Sequence, residues 1–329
     1  MIDTIYIEEG IEGLSKSDEI ISRFPKATVI PCKHYKEIFN PSGQSFRLQK
    51  KKPALILARQ TGKLVHPIPP TYGVGGKHNF YFSHLLNCLY DCRYCFLQGM
   101  YPSAHYLLFV NFEDFEKEIT RAAQSSTDPS WFFSGYDCDS LALESVTGFV
   151  AHFLPFFNTL PNAWLELRTK SVNTQVLEKI DPQSRTVVAF SFTPDQVSKQ
   201  VEHGVPSVRA RIQAMHTLAK RGWPVGLRID PLLDCQDFEN RYCQLFEDIF
   251  AQVPEHAIHS VSVGAFRMPS GFYKKIEKQY PEEALFAGGF QAENGYTGYL
   301  RETESRLKQT CLRLLEKWID PEKVFTCET

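Results

Sequence analysis

Cys88, Cys92 and Cys95 stand in a CxxxCxxC array within the stretch HLLNCLYDCRYCFLQG, three thiols inside eight residues. Soft thiolates at such short spacing select zinc or an iron–sulfur cluster over hard cations. Three cysteines leave one iron of a four-iron cube without a protein ligand, so an outside molecule can bind there. An open iron means chemistry. The competing arrangement is a three-cysteine zinc knot whose fourth ligand lies elsewhere, with His84 four residues upstream of Cys88. Zinc sites favour a CxxC pair answered by a distant second pair, so the spacing favours the cluster and leaves His84 as a satisfied polar residue at a strand end.

A second polar turn, Gly135-Tyr136-Asp137-Cys138-Asp139-Ser140, carries another cysteine. Taken alone, Cys138 reads as a small buried hydrophobe. Its company changes that reading. Arg168-Thr169-Lys170-Ser171, Ser191, and Arg228 with Asp230 all fall near the ends of expected strands. Together they offer a cation for a carboxylate and hydroxyls for an amino group, the needs of a zwitterionic ligand. Each also has a plain structural role open to it: a helix cap for Ser140 or Ser171, a surface ion pair for Lys170.

The elements that must position these residues are legible from Asn79 onward. Asn79 to Ser83 reads as a strand leading into the cysteine loop, and Trp131 to Ser134 as a second strand. A helix is expected from about Leu141 to Phe157, with Leu143, Val146, Val150, Phe153 and Phe157 at helical spacing. Ala163 to Leu167 and Thr186 to Phe192 give the third and fourth strands, joined by a helix from Asn173 to Ile180 that Asp181-Pro182 stops. Ser207 can cap a helix ending at Lys220 before Gly222. Pro224 to Asp230 is a fifth strand and Ile258 to Phe266 a sixth, with a helix carrying Phe238, Tyr242, Leu245, Phe246, Ile249 and Val253 between them. Strands alternating with helices imply a parallel sheet covered outside, with working residues on the loops after the strands' C-terminal ends. Six units fall short of a closed eightfold ring. The expected fold class is therefore α/β, a partial open (β/α)6 barrel with an N-terminal mixed α/β part and a C-terminal helical extension. Its divisions are expected at 1–75, 76–285 and 286–329, with the Pro- and Gly-rich stretch 67–76 as the first boundary. In the N-terminal part, Thr28 to Ile30 and Ala54 to Ala58 are apolar runs of strand length. The last helix carries Leu307, Cys311, Leu314, Leu315 and Trp318 on one face, a packing pattern.

Composition sets the outer limits. The chain has 329 residues with 43% hydrophobic content, enough for one large core, and a formal net charge of −2. That charge gives no global pull toward a polyanion, so contact with one would need a local patch: Lys50 to Lys52, Arg209, Arg211 and Lys274-Lys275 are the candidates. A solvated loop is the bland reading of Lys50 to Lys52. Nine cysteines form an odd set without framework spacing, which argues for reduced thiols and a cytoplasmic location. Cys32, Cys235, Cys243, Cys311 and Cys327 read as structural or incidental. No run approaches the roughly 18 apolar residues of a membrane span. A monomer is expected.

The cysteine spacing, with Tyr94 before the third cysteine and Phe96 after it, resembles the radical S-adenosylmethionine superfamily. HLLNCLYDCRYCFLQGMY, the cysteine 43 residues after the third cluster cysteine, RTKS after the third strand and the upstream HYKEIFNPSGQSF together resemble the spore photoproduct lyase family. The resemblance is strongest from Asn79 to Ser191 and weak in the last 40 residues. It implies a DNA repair enzyme, active without light, that splits the methylene-bridged thymine dimer called spore photoproduct. It implies a [4Fe-4S] cluster on Cys88, Cys92 and Cys95, and S-adenosyl-L-methionine held by Ser140, Lys170 and Ser191 with Tyr94 beside it. Cys138 matches the hydrogen-donating cysteine, damaged DNA is the implied substrate, and a flavodoxin or ferredoxin the implied electron donor. Two departures stand out. The family usually has a tyrosine where this chain has Phe96, which interrupts the relay that regenerates the cofactor unless Tyr94, Tyr136 or another residue substitutes. The family's lesion-contacting hairpin does not align clearly with GFQAENGYTGYLRETE, where Tyr299 and Arg301 are nearest in kind. Other substrates within the same radical chemistry are RNA, a peptide or a small molecule; a non-catalytic zinc module is the reading from another class.

Overall fold

The computed structural model describes residues 2–68 and 73–327. Chain order begins with β1 (Thr4–Glu8), β2 (Thr28–Cys32) and β3 (Leu55–Ala58), then β4 (Val65–Pro67) and β5 (His78–Phe82). The short strands β6 (Leu85–Leu86) and β7 (Asp91–Cys92) lie in the cysteine loop, and β8 (Tyr106–Phe109) follows it. One sheet has the order β2-β1-β3-β8-β6. It therefore crosses the boundary expected at residue 75, because β8 pairs in parallel with β3 and β6 lies antiparallel against β8. Residues 69–72 of that boundary lie outside the described residues. Val74, just after them, packs with Trp131, Phe133 and Val187 inside the second sheet.

That second sheet continues with β9 (Ser130–Phe133), β10 (Ala163–Thr169) and β11 (Thr186–Ser191). After β12 (Glu202–His203), which lies outside it, come β13 (Val225–Leu232) and β14 (Ile258–Ala265). Three antiparallel strands, β15 (Arg267–Pro269), β16 (Phe290–Glu293) and β17 (Tyr296–Tyr299), precede the last strand β18 (Val324–Thr326). The large sheet runs β18-β14-β13-β11-β10-β9-β5-β4, parallel throughout except for β4 against β5. The six expected strands sit consecutively in its middle as an open partial barrel. β18 was not anticipated: the C-terminal extension is more than a packing helix, since it returns the chain to the sheet edge.

Alternation along the strands explains why the sheet curls. Leu165, Leu167, Val188, Phe190, Leu227, Ile229, Val261 and Val263 face the helices and form the main core with Phe149, Phe153, Ile212, Met215, Leu245, Phe246 and Leu307. The intervening residues line the concave side, where Glu166 and Arg228 form a fully buried ion pair at 2.6 Å. A concave face this polar is a place for a ligand, whereas the convex face is hydrophobic glue.

Several expected boundaries moved. The helix expected over 141–157 is split into Glu144–Thr147 and Phe149–Asn158, because Gly148 takes φ +59° between them. The helix expected over 173–180 shrinks to Gln175–Glu178, while β10 extends to Thr169. Helix Phe112–Gln124 was missed, although Phe112, Phe115, Ile119 and Ala123 give it a clear buried stripe. Ser207 does cap Val208–Lys220, its hydroxyl accepting from the Ala210 amide at 3.2 Å. No helix among the described residues is long and apolar enough to cross a membrane.

Candidate active site

The cysteine loop begins at Asn87, a buried residue with φ +73° directly before Cys88. Its side-chain amide donates to the carbonyls of Ser103 and His105, both at 2.7 Å, and so closes the loop at its base. Asparagine tolerates this left-handed backbone better than most residues. Other contacts hold the loop from the sides. The Lys50 ammonium donates to the Cys88 carbonyl, and the Gln98 amide donates to the Cys92 carbonyl at 2.6 Å. β12 pairs antiparallel with β7. Arg93 bonds Glu283 at 3.0 Å and stacks over the Tyr280 ring at 3.8 Å. Gly99 abuts helix Ser270–Gln279 so closely that a Cβ there would lie 2.5 Å from the Phe272 carbonyl oxygen. A Gly99→Ala variant is expected to lose about 1–3 kcal/mol, the usual range for overpacking. Urea unfolding of the metal-free protein checks this, and an unchanged midpoint would show that the cysteine loop and helix Ser270–Gln279 separate easily.

Burial pushes the Cys88 thiol up to about 12 and raises Cys92 and Cys95 as well. Lys170 acts in the opposite sense on Cys92 and Cys95, and Lys50 on Cys88 and Cys95. Two lysines do not suffice to ionise three buried thiols, so the thiolate form calls for the charge of bound iron. The donor set fits a cluster. Cys88, Cys92 and Cys95 are all free thiols in one loop, and a cube takes each thiolate on a different iron. His84 is no fourth ligand: it is buried and stacked on Phe149 with ring centroids 3.7 Å apart, and burial holds its pKa down near 3.

Between Cys92 and Cys95, the Tyr94 hydroxyl donates to Glu202, which also receives Ser198 at 2.6 Å and Arg211 at 2.7 Å. Burial raises the Glu202 carboxyl, but Arg211, Lys170 and these hydrogen bonds outweigh it and hold it below its ordinary range. Arg211 also donates to the Ser191 carbonyl at 2.8 Å. The cysteine loop is thereby tied to the end of β11. As a fully buried residue Arg211 cannot meet a phosphate, which corrects its reading as a candidate backbone contact. Arg228 is likewise committed to Glu166 and to Ser260, and so is lost to any zwitterionic ligand.

The remaining candidates stand on the loops after neighbouring strands. Cys138 follows β9, buried, with its sulfur 3.8 Å from the Ser134 carbonyl. Burial raises its pKa, and the charges of Cys88, Asp139 and Asp137 add to this, so it stays a thiol and keeps its hydrogen. Asp139, next in the chain, is a hub that sequence reasoning passed over. It accepts from the amides of Leu141 (3.0 Å), Ala142 (2.9 Å) and Lys170 (2.6 Å) and from the Thr169 hydroxyl (2.7 Å). One buried carboxylate thus locks the Cys138 loop to the Lys170 loop. Lys170 lies over the Tyr94 ring, its ammonium 5.4 Å from the centroid. Ser140 shares a 2.8 Å hydrogen bond with Ser134, and Ser191 is buried at the end of β11. Cys327, read as incidental, lies just past β18 beside Asp230, its sulfur 3.8 Å from the carboxylate.

The family model described as spore photoproduct lyase matches residues 81–300, from the strand before the cysteine loop to the tail hairpin. The chain belongs to the spore photoproduct lyase family. It is 25% identical over 202 residues to the spore photoproduct lyase of Bacillus subtilis (strain 168), covering 60% of this chain and 59% of that protein. It is 24% identical over 205 residues to the spore photoproduct lyase of Geobacillus sp. (strain Y412MC61), again spanning 59% of that protein. The fold matches a solved spore photoproduct lyase variant with bound AdoMet and dinucleoside spore photoproduct at a TM-score of 0.86 and 17% identity, over 100% of this chain and 98% of that one. A spore photoproduct lyase complexed with dinucleoside spore photoproduct matches at a TM-score of 0.84, also at 17% identity and the same coverage.

Against that family the two departures take physical form. Phe96 packs on Tyr136 with ring centroids 5.7 Å apart, and Tyr136 in turn stacks on Tyr81 at 4.5 Å. The Tyr101 hydroxyl donates to Asp137 at 3.1 Å, and Ser83 donates to the same carboxylate. Two hydroxyls therefore meet Asp137, next in the chain to Cys138, even though residue 96 has none. In the tail, β16 and β17 form a hairpin whose Asn294 and Gly295 both have positive φ, +50° and +83°. The Asn-Gly pair was the signal for it. Tyr299 is a structural residue here, its oxygen accepting from the Asp234 amide at 2.8 Å and its ring packed on Phe290. Arg301 pairs with Glu293 at 2.7 Å, whereas Tyr296 is 51% exposed on the hairpin.

Proposed function

We propose that this protein is a radical S-adenosylmethionine lyase that repairs DNA by splitting the methylene-bridged thymine dimer. The observation that carries the reading is the placement of a buried, protonated thiol, Cys138, on the strand-end loop beside a three-cysteine loop. Cys88, Cys92 and Cys95 would hold a [4Fe-4S] cluster, and Ser140, Lys170, Ser191 and Tyr94 would surround S-adenosyl-L-methionine. Cluster and cofactor together supply a 5'-deoxyadenosyl radical.

The residues of the chain do the rest. Lys170, whose backbone amide is held by Asp139, would offer a cation to the carboxylate of the cofactor's methionine part. Once a ring hydrogen has been taken from the lesion and the carbon–carbon bridge has broken, the remaining thymine-based radical needs a hydrogen atom. Cys138 gives it through its weak S–H bond, and the thiyl left behind must recover a hydrogen. Reaching the lesion requires extruding it from the duplex, which costs a few kcal/mol and less where stacking is already damaged. Tyr296, exposed on the tail hairpin, would contact the opened duplex. Damaged DNA and a flavodoxin or ferredoxin are the partners of a monomer working in the cytoplasm.

The test is anaerobic reconstitution, then incubation with dithionite, S-adenosylmethionine and an oligonucleotide carrying spore photoproduct. Loss of lesion with recovery of two thymines supports the reading. Deoxyadenosine without lesion loss would move the substrate to RNA, a peptide or a small molecule, and colourless protein holding zinc would overturn the chemistry.

Because Phe96 has no exchangeable O–H, recycling of the cofactor is expected to be incomplete, with deoxyadenosine accumulating alongside thymine. A Phe96→Tyr variant is expected to lower that ratio. Chromatographic quantitation of both products decides it: negligible deoxyadenosine from the unmodified chain would mean that Tyr101, Tyr136 or another phenol already completes the relay.

A further inference from the structure

We propose that the outer side of the cysteine loop, away from the barrel mouth, is the docking face for an acidic one-electron carrier protein. The proposal rests on the reading of Cys88, Cys92 and Cys95 as cluster ligands. A cluster that must be reduced from outside needs its donor close by, because electron transfer falls steeply with distance. The mouth side carries Cys138, Lys170 and Ser191, so the donor is left the other face.

Two helices frame that face. Phe46–Lys51 reaches the loop through the Lys50 ammonium on the Cys88 carbonyl. Ser270–Gln279 reaches it through Phe272 against Gly99 and through the Gln279 amide, which donates to the Gln98 carbonyl at 3.1 Å. Arg47 joins the helices by donating to the Gln279 carbonyl at 3.0 Å. The two helices carry six cations, Arg47, Lys50, Lys51, Lys274, Lys275 and Lys278, against a single acid of their own, Glu277; Arg47 is paired with Glu282, just past the second helix, at 2.6 Å, which leaves the five lysines as the excess. That is a marked local excess in a chain whose net charge is −2.

Apolar side chains are interleaved with these cations. Leu48 is 65% exposed, Leu89, directly after Cys88, is 42% exposed, and Met100 is 37% exposed. These leucines and the methionine distinguish the candidates for an occupant. A phosphate backbone is met by cations and hydrogen-bond donors and gains nothing from exposed leucine. A protein partner covers apolar side chains at the centre of its contact while complementary charges steer the encounter. An acidic carrier satisfies both halves of the surface.

The experiment uses reconstituted holoprotein and reduced flavodoxin as the probe, following bleaching of the cluster's visible absorption by anaerobic stopped flow. A Lys51→Glu/Lys275→Glu variant, altered only at exposed positions, is expected to be reduced by flavodoxin about tenfold more slowly, the scale of rim-charge effects on association. The flavodoxin rate of the unmodified protein should fall with added salt. Reduction by dithionite, cluster content and affinity for duplex DNA should be unchanged in the variant. An unaltered flavodoxin rate would overturn the proposal, as would loss of duplex affinity with the flavodoxin rate intact, which assigns the face to nucleic acid. Unmodified protein that takes up no iron would instead overturn the cluster reading itself.

Discussion

A Cys138→Ala variant is expected to keep its iron, its colour and its cleavage of S-adenosylmethionine while returning almost no fully repaired thymine pair. Among the described residues the buried sulfur has only the Ser134 carbonyl as a hydrogen-bond partner, so its removal leaves the loop's anchors in place. Those anchors belong to Asp139, which holds Leu141, Ala142, Thr169 and Lys170 whether or not residue 138 has a thiol. What disappears is the S–H bond, and with it the source of the final hydrogen atom. Recovery of the repaired thymine pair should fall by about 100-fold or more, the scale for a group acting only in the reaction step. Cys138→Ser should not rescue it, since an alcohol O–H bond is too strong to give its hydrogen to a carbon radical. Thymine yield per lesion consumed is the measurement, with a melting curve to separate lost chemistry from lost folding. Undiminished thymine from the alanine variant would remove Cys138 from the reaction.

An Arg211→Met variant is expected to lose about 3–5 kcal/mol of stability, because it leaves one member of a buried ion pair without its partner. Arg211 and Glu202 both have fully buried side chains and meet at 2.7 Å. The abandoned Glu202 would still hold the Tyr94 hydroxyl, so the damage should be felt at the cluster loop as weaker iron retention. An Arg211→Met/Glu202→Leu double variant should recover much of the loss, since an apolar pair of suitable volume no longer buries a lone charge. The pH dependence has a definite sign. In the unmodified protein the Glu202 carboxyl is held below its ordinary value, so its contribution is present above the unfolded pKa and is lost as pH falls through the folded one. In the variant burial loses its largest opponent, with only Lys170 and the hydroxyls of Ser198 and Tyr94 left against it, so the carboxyl rises. The stability gap between the two proteins should therefore narrow as pH is lowered through the ordinary glutamate range. Urea unfolding of the metal-free proteins at neutral and mildly acidic pH measures it, and a cost under about 1 kcal/mol would mean that water reaches the pair.

The candidate chemistry was legible in the sequence because it is written locally. Three thiols in eight residues announce a soft-metal site wherever they lie, and the order of strands and helices from Asn79 fixes a parallel sheet whose working ends can be named in advance. Cys138 was reachable by the same logic, being a cysteine just after a strand. Period and spacing survive reading in one dimension.

Partnership does not. Arg211 and Arg228 have the composition of ligand contacts, and only the fold shows that Glu202 and Glu166, 9 and 62 residues away, have taken their charges inside. Asp139 looked like any polar turn residue until β9 and β10 brought Thr169 and Lys170 to it. Strand β8 was invisible because its partner, β3, lies on the far side of the expected boundary, and β18 because the sheet edge it completes is formed some 60 residues earlier. The sequence by itself determined which groups can react. The tertiary structure decided which of them are free to do so, because burying a charge demands an opposite charge from wherever the chain can bring one.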